Sequence, residues 1–249
     1  MRGLILFDID GTLLRGGDPD HALAFLHAMR EVYGREPSLE GISPAGMLDS
    51  QIARLALSRQ GLAEAEINAR LSEMVALMGE RYAEAVARRS RIERLLPGVV
   101  EVLERLRAEP YVLGVLTGNA RAVAESKLGA AGIRHYFDVG AFGDSALDRW
   151  HLVTDAQRSA EERYQVTFPG NRIVLVGDTP RDIEAARQSG SRVLAVATGR
   201  FSMDELAEHA PDALLPDMGD TETVVATIDE IGGTESNRVL AATAEATFW

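Results

Sequence analysis

An apolar run without alternation, Leu4-Ile5-Leu6-Phe7, stops at a carboxylate and continues as Ile9-Asp10-Gly11-Thr12. Large apolar side chains with no polar alternates need cover on both faces. That is the setting of a strand inside a parallel sheet. If the strand extends through Ile9, Asp8 and Asp10 fall on one side of it, and Gly11 lets the chain turn sharply. Like charges so close repel each other. Taken alone, the pair reads either as a strand-end acid and a turn acid beside glycine, or as a metal site or an acid/base pair.

The remaining chain falls into two patterns. From Asp18 to Leu95 there is no strand signal. Ala22, Phe25, Leu26, Met29, Val32 and Tyr33 recur at helical spacing with Gly34 as a stop, and Arg35 to Gly46 reads as loop. Ile52, Leu55 and Ala56 mark a second helix, and Ile67, Leu71, Met74, Met78, Tyr82 and Val86 a long third one. After Leu96-Pro97-Gly98 and a helix carrying Val99, Val102, Leu103 and Leu106, strands and helices alternate. Strands are expected at Tyr111 to Leu116, Phe137 to Phe142, Arg172 to Val176, Arg192 to Ala197 and Ala213 to Leu215. Helices are expected at Ala120 to Ala131, Arg149 to Tyr164, Arg181 to Ser189 and Asp204 to His209. This alternation predicts an α/β fold, a doubly wound parallel sheet, with an all-helical insert. The expected division is residues 1–16 and 96–232 as the core, 17–95 as the helical unit and 233–249 as a C-terminal tail. The Ala-rich end of that tail reads equally as disordered or as a docked helix.

In such sheets ligands sit beyond the carboxyl ends of the strands. Three apolar strands here end in polar turns: Asp8 to Thr12, Thr117-Gly118-Asn119, and Gly177-Asp178-Thr179-Pro180-Arg181-Asp182. Each alone is an ordinary turn or helix cap. Together, on one rim, they supply oxygen ligands for a hard cation such as Mg²⁺ at Asp8 and Asp178. They also supply a carboxylate able to attack phosphorus. The Thr117 hydroxyl and the backbone N–H groups at the next helix start can hold phosphate oxygens.

These three stations, in this order, resemble the haloacid dehalogenase superfamily of phosphatases. Asp8 to Thr12 is similar to its Asp-x-Asp-Gly-Thr motif, Thr117 to its second motif, and Gly177, Asp178 and Asp182 to its Gly-Asp-x-x-x-Asp motif. The helical insert resembles the family's C1 cap, and the likeness spans Arg2 to about Ile231. It implies Asp8 as nucleophile and Asp10 as acid, then base. It also implies Mg²⁺ held by Asp8, the Asp10 carbonyl and Asp178, with Asp182 behind them orienting water or a cationic partner. Gly118 and Asn119 would contact the substrate. The family's third motif, a lysine ahead of the fourth, is absent. Phe142 to Trp150 contains no lysine, and Arg149 is its nearest cation. Arg149 is favoured for that role over Lys127, the chain's single lysine, because its place relative to Asp178 fits better. The bland alternative for each is a solvated helix residue. Asp49 or Ser50 reads as the N-cap of the second helix. In the rival reading, suggested by the cap's role in relatives, Asp49 or Gln51 meets substrate hydroxyls.

Composition narrows the function classes. A net charge of −12 argues against nucleic acid as partner and requires local positive charge around any anionic ligand. With no cysteine there is no disulfide, thiolate metal site or cysteine nucleophile, which fits a cytoplasmic setting. No signal peptide is read at the N-terminus, and no apolar run approaches the ~18 residues of a membrane span. The expected partner is a small phosphorylated metabolite; nothing in the sequence speaks to oligomeric state. Dehalogenation is disfavoured, since that branch lacks an acid at the Asp10 position. A sugar-phosphate mutase of the β-phosphoglucomutase type stays open. A receiver-like phospho-acceptor does not fit the length or the helical insert, and the intact acids speak against a silent binding protein.

Overall fold

The computed structural model describes residues 1–144 and 148–233. Ser145 to Leu147 and the tail from residue 234 lie outside the described residues. Six parallel strands form one sheet in the order β3-β2-β1-β4-β5-β6. They are β1 (Leu4–Phe7), β2 (Val112–Thr117), β3 (Val139–Phe142), β4 (Ile173–Gly177), β5 (Arg192–Val196) and β6 (Ala213–Leu215). The unbroken apolar run of β1 is central, paired with β2 on one side and β4 on the other. Ile5, Phe7 and Ile9 enter the core on one face of the sheet, and Leu4 and Leu6 the core on the other. The strand order turns back between β1 and β4, so their carboxyl ends flank the crevice where such sheets bind ligands.

Helices cover both faces. α4 (Val99–Arg107), α5 (Arg121–Ala130) and α9 (Thr221–Ile231) lie on one, and α6 (Arg149–Tyr164) and α7 (Pro180–Ser189) on the other. The short α8 (Met203–Ala207) precedes β6. α9 lies beyond the helices expected from the sequence, which end at His209. Asp220 caps it by accepting from Thr223 N–H at 3.1 Å, and Val224, Val225 and Ile228 bury its inner side.

Between β1 and β2 stand α1 (Pro19–Tyr33), α2 (Asp49–Arg59) and α3 (Glu64–Val86), with a core that includes Phe25, Met29, Leu57, Met74, Met78 and Tyr82. Val123 of α5 joins this second core, while Ala124 and Leu128 of the same helix face the sheet. α3 approaches α5 closely because it offers Gly79 there. A Cβ at that position would lie 2.5 Å from Cβ of Ala122. The two connections to this unit run side by side, with Arg15 N–H donating to Arg94 O at 2.8 Å and Leu96 N–H to Leu13 O at 3.1 Å. No described helix is long and apolar enough to cross a membrane.

Asp18 ties the helical unit together. One carboxylate oxygen caps α1 through Asp20 N–H at 3.1 Å, and the other accepts the buried Tyr82 hydroxyl at 2.7 Å. Tyr82→Phe should therefore cost about 1.5–3 kcal/mol, the usual range for a hydrogen bond to a charged group. Urea denaturation measures this, and an unchanged midpoint would show that the contact contributes nothing.

Candidate active site

The site is built where β1 and β4 end. Asp8 continues β1, its N–H donating to Val176 O at 2.9 Å, and the residue is 4% exposed. Asp178 follows β4 and accepts from the Thr12 hydroxyl at 3.1 Å. Gly11 (φ +96°) and Gly199 close against Asp178, where an added Cβ would fall 2.2 and 1.7 Å from its carboxylate. No other residue type fits either position without moving Asp178. Thr198 fastens the β5 loop to this turn by donating to Gly11 O at 2.5 Å.

Oxygen atoms of Asp8, Asp178 and Asp182 lie within 4.8 Å of one another. Arg149, the first residue of α6, answers two of these acids. Its Nη2 is 2.9 Å from Asp8 and 2.7 Å from Asp182, and its Nε donates to Asp182 at 2.9 Å. Asp182 is held from behind by Thr179, through the backbone N–H at 3.0 Å and the hydroxyl at 2.7 Å. Among the described residues Asp178 makes no ion pair. Burial, then the charges of Asp8 and Asp182, push its carboxyl up to about 8. Burial likewise pushes Asp8 up to about 6, against the pull of Arg149. An all-oxygen pair that is costly to ionise without a counter-charge suits a hard divalent cation such as Mg²⁺. Asp182 is already committed to Arg149 and Thr179.

Asp10 has a different environment. Its Oδ2 accepts from Lys127 Nζ at 2.5 Å and from Asn119 Nδ2 at 2.8 Å. Burial raises the Asp10 carboxyl, but Lys127 and then His21 outweigh it and hold the group below the usual carboxylate range. Lys127 is thus no solvated helix residue: it is 1% exposed. Nor is Arg149, at 7%. The structure puts one cation on each acid, Arg149 on Asp8 and Lys127 on Asp10.

Thr117 ends β2 fully buried, its oxygen accepting from Asn119 N–H at 3.3 Å and Asn119 Nδ2 at 2.9 Å. Two backbone N–H groups at the start of α5 have partners within the protein. That of Ala120 donates to Asp49 at 2.8 Å and that of Arg121 to Asp144 at 3.3 Å. The N-cap reading for Asp49 and Ser50 also needs correction. Leu48 holds the N-cap position of α2, and Gln51 reaches back to Leu48 N–H at 3.2 Å. Asp49 spans to the core instead, accepting from Ala120 and donating its own N–H to Gly118 O at 2.8 Å, while the Ser50 hydroxyl donates to Gly143 O at 3.0 Å. Gly118 permits this docking, since a Cβ there would lie 2.0 Å from Met47 O.

His21 of α1 was not singled out in the sequence. Its Nε2 is 3.3 Å from Asp49 and its Nδ1 is 3.4 Å from Lys127 Nζ. A lone histidine on a helix with Phe25 at i+4 reads as a packing residue, and no motif marked it. It lines a cleft of about 630 Å³ between strand ends and helical unit, together with Asp8, Asp10, Thr117, Asn119 and Arg149.

A family model for haloacid dehalogenase-like hydrolases matches residues 3–190. A phosphoglycolate phosphatase of Synechococcus elongatus is 32% identical, the match covering 85% of this chain and 91% of that protein. One from Nitrosospira multiformis is 31% identical over 86% of this chain and 91% of its own length. Among solved structures, a "predicted phosphoglycolate phosphatase" from Haemophilus somnus superposes with a TM-score of 0.62 at 27% identity, covering 90% of this chain and 97% of that one. β-Phosphoglucomutase from Clostridium difficile gives a TM-score of 0.69 at 14% identity over 92% and 98%, a likeness of fold alone.

Removing Lys127 leaves the burial of Asp10 less opposed. Lys127→Met should move the Asp10 carboxyl upward, read by ¹³C NMR titration of labelled aspartate. A titration that stays put would mean that the pair does not form in solution.

Proposed function

The chain belongs to the haloacid dehalogenase-like hydrolase family and is a phosphatase, and we propose that Asp8 is its nucleophile and Asp10 its proton-transfer group. The observation that carries this reading is the pairing of two carboxylates, two residues apart, with different cations: Asp8 with Arg149, and Asp10 with Lys127. In the first step an Asp8 oxygen attacks phosphorus, the ester P–O bond breaks, and the leaving oxygen takes a proton from Asp10. In the second, Asp10 accepts a proton from water. That water attacks phosphorus, the bond to Asp8 breaks, and inorganic phosphate leaves. A dianionic phosphate entering beside Asp10 raises its carboxyl by like-charge repulsion, so a group held low by Lys127 gains the proton that it later donates.

Thr117 lies beside the acids, its hydroxyl available to a phosphoryl oxygen. Arg149 holds Asp8 in place and offers its remaining donors to phosphate, with Asp182 fixing the guanidinium. Asp8, the Asp10 carbonyl and Asp178 would hold Mg²⁺, which when bound neutralises phosphoryl charge and keeps the ester in line. The helical unit, residues 17–95, covers the cleft as a cap. Asp49 joins cap to core in this reading and does not read substrate hydroxyls.

The substrate class is a small phosphate monoester. Phosphoglycolate, from the names of relatives above 30% identity, is the first compound to assay. Hydrolysis is preferred to mutase chemistry because the mutase likeness is confined to fold.

Asp8→Asn should retain less than about a thousandth of wild-type kcat, a loss of about 4 kcal/mol of barrier stabilisation, because the amide cannot attack phosphorus. Rapid-quench trapping of ³²P on the protein should succeed with the wild type and fail with the variant. Labelling of the variant would remove Asp8 from the role. EDTA should abolish p-nitrophenyl phosphate turnover and Mg²⁺ restore it; turnover that persists would refute the metal requirement.

A further inference from the structure

The two sides of the cleft differ in chemistry. The strand ends supply the acids and their cations. The helical unit supplies Phe25, Leu39, Met47 and Ile52. Phe25 and Ile52 belong to the hydrophobic core of that unit, and Leu39 and Met47 pack against it. One apolar surface therefore runs from the core of the helical unit to the wall of the cleft. The cleft's volume of about 630 Å³ lies within the roughly 300–1,000 Å³ of pockets that bury a drug-sized ligand. Such pockets are mostly apolar, with a few polar groups that fix orientation.

The polar groups that the helical unit brings to the cleft are engaged within the protein. The Asp18 carboxylate accepts from Asp20 N–H at 3.1 Å and from the Tyr82 hydroxyl at 2.7 Å. His21 stands between Asp49 and Lys127, and Asp49 accepts from Ala120 N–H at 2.8 Å. The carbonyl oxygens of Ala45 and Gly46 accept from Arg181 and Arg149. Arg15 and Arg200 also line the cleft, but they stand on the loops after β1 and β5. A hydroxyl or carboxylate pressed on the apolar wall would give up water without regaining its hydrogen bonds there, which is costly. A methylene chain or an aromatic ring in the same place gains by leaving water.

We propose that the cleft takes phosphate monoesters whose leaving group carries an apolar body, an alkyl chain or an aryl ring, that lies against Phe25, Leu39, Met47 and Ile52. This rests on the phosphatase reading above and adds to it the chemistry of the leaving group. The phosphoryl group stays with Asp8 and Asp10, and the body of the ester reaches across the cleft to the helical unit.

Primary alkyl phosphates from methyl to hexyl, assayed with Mg²⁺, test this. Their leaving alcohols are alike in acidity and differ in apolar length. Wild-type kcat/KM should rise about two- to fourfold for each added CH₂, the upper figure corresponding to about 0.8 kcal/mol per buried CH₂. Hexyl phosphate should also exceed glucitol 6-phosphate, which has as many carbons but a hydroxyl on each of the others. Leu39→Asn and Met47→Gln, both at half-buried positions, should each flatten the alkyl series, mainly through KM. Calorimetry of the wild type gives a second readout. Hexylphosphonate should bind with a more negative heat-capacity change than methylphosphonate, the mark of apolar burial. A flat alkyl series overturns the inference. So does a glucitol ester that outpaces the hexyl ester, a slope that both variants leave intact, or equal heat-capacity changes. 2-Phosphoglycolate, with a short polar leaving group, reports the phosphatase chemistry by itself. Its turnover beside a flat alkyl series leaves the phosphatase reading standing, and failure to hydrolyse any of these esters overturns both.

Discussion

Arg149 makes the acidic rim of this sheet possible. Three carboxylates with oxygens within 4.8 Å, each nearly or fully buried, are a costly arrangement. One guanidinium touching Asp8 and Asp182 at 2.7–2.9 Å offsets much of it. The fork suits the task because it is planar and permanently charged, and can meet two acids at fixed angles. Removing it would leave uncompensated charge in a buried site, which is far more damaging than loss of a surface pair. Asp182, pinned by Thr179 at the first turn of α7, ties the arginine to the scaffold. Thus α6, α7 and the central strand are joined at one charged point. The residual cost falls on Asp178, whose carboxyl is pushed up by burial and by the charges of Asp8 and Asp182.

Glycines set the distances around this point. Gly11 and Gly199 let backbone press on Asp178, and Gly118 lets Met47 of the helical unit reach the end of β2. Gly143 does the same next to it, where a Cβ would sit 1.9 Å from Gly118 O. On the β2 side the main chain of the helical unit and the loop after β3 therefore close in around Thr117 and Asn119.

Much of this was legible in the sequence because it follows from local rules. The apolar run of β1, the stations at Asp8, Thr117 and Asp178, and the helical spacing of Ile67 to Val86 are short-range signals. Contacts made across the chain were not legible. Lys127 sits on a helix whose periodicity says only that it is amphipathic. Its burial depends on where α5 lies relative to Asp10, more than a hundred residues earlier. Asp49 looked like a helix cap because its neighbours fit that pattern, yet its partner belongs to another helix. The last helix carries its own signal in the sequence, an Asp220 cap three residues before Thr223.

The Asp49–Ala120 contact has a wider consequence. Backbone N–H groups at the start of a helix carry partial positive charge and are a natural seat for an anion. At α5 the backbone N–H of Ala120 is occupied by the carboxylate of Asp49, which comes from the helical unit. The field of that helix therefore helps to hold the helical unit against the sheet.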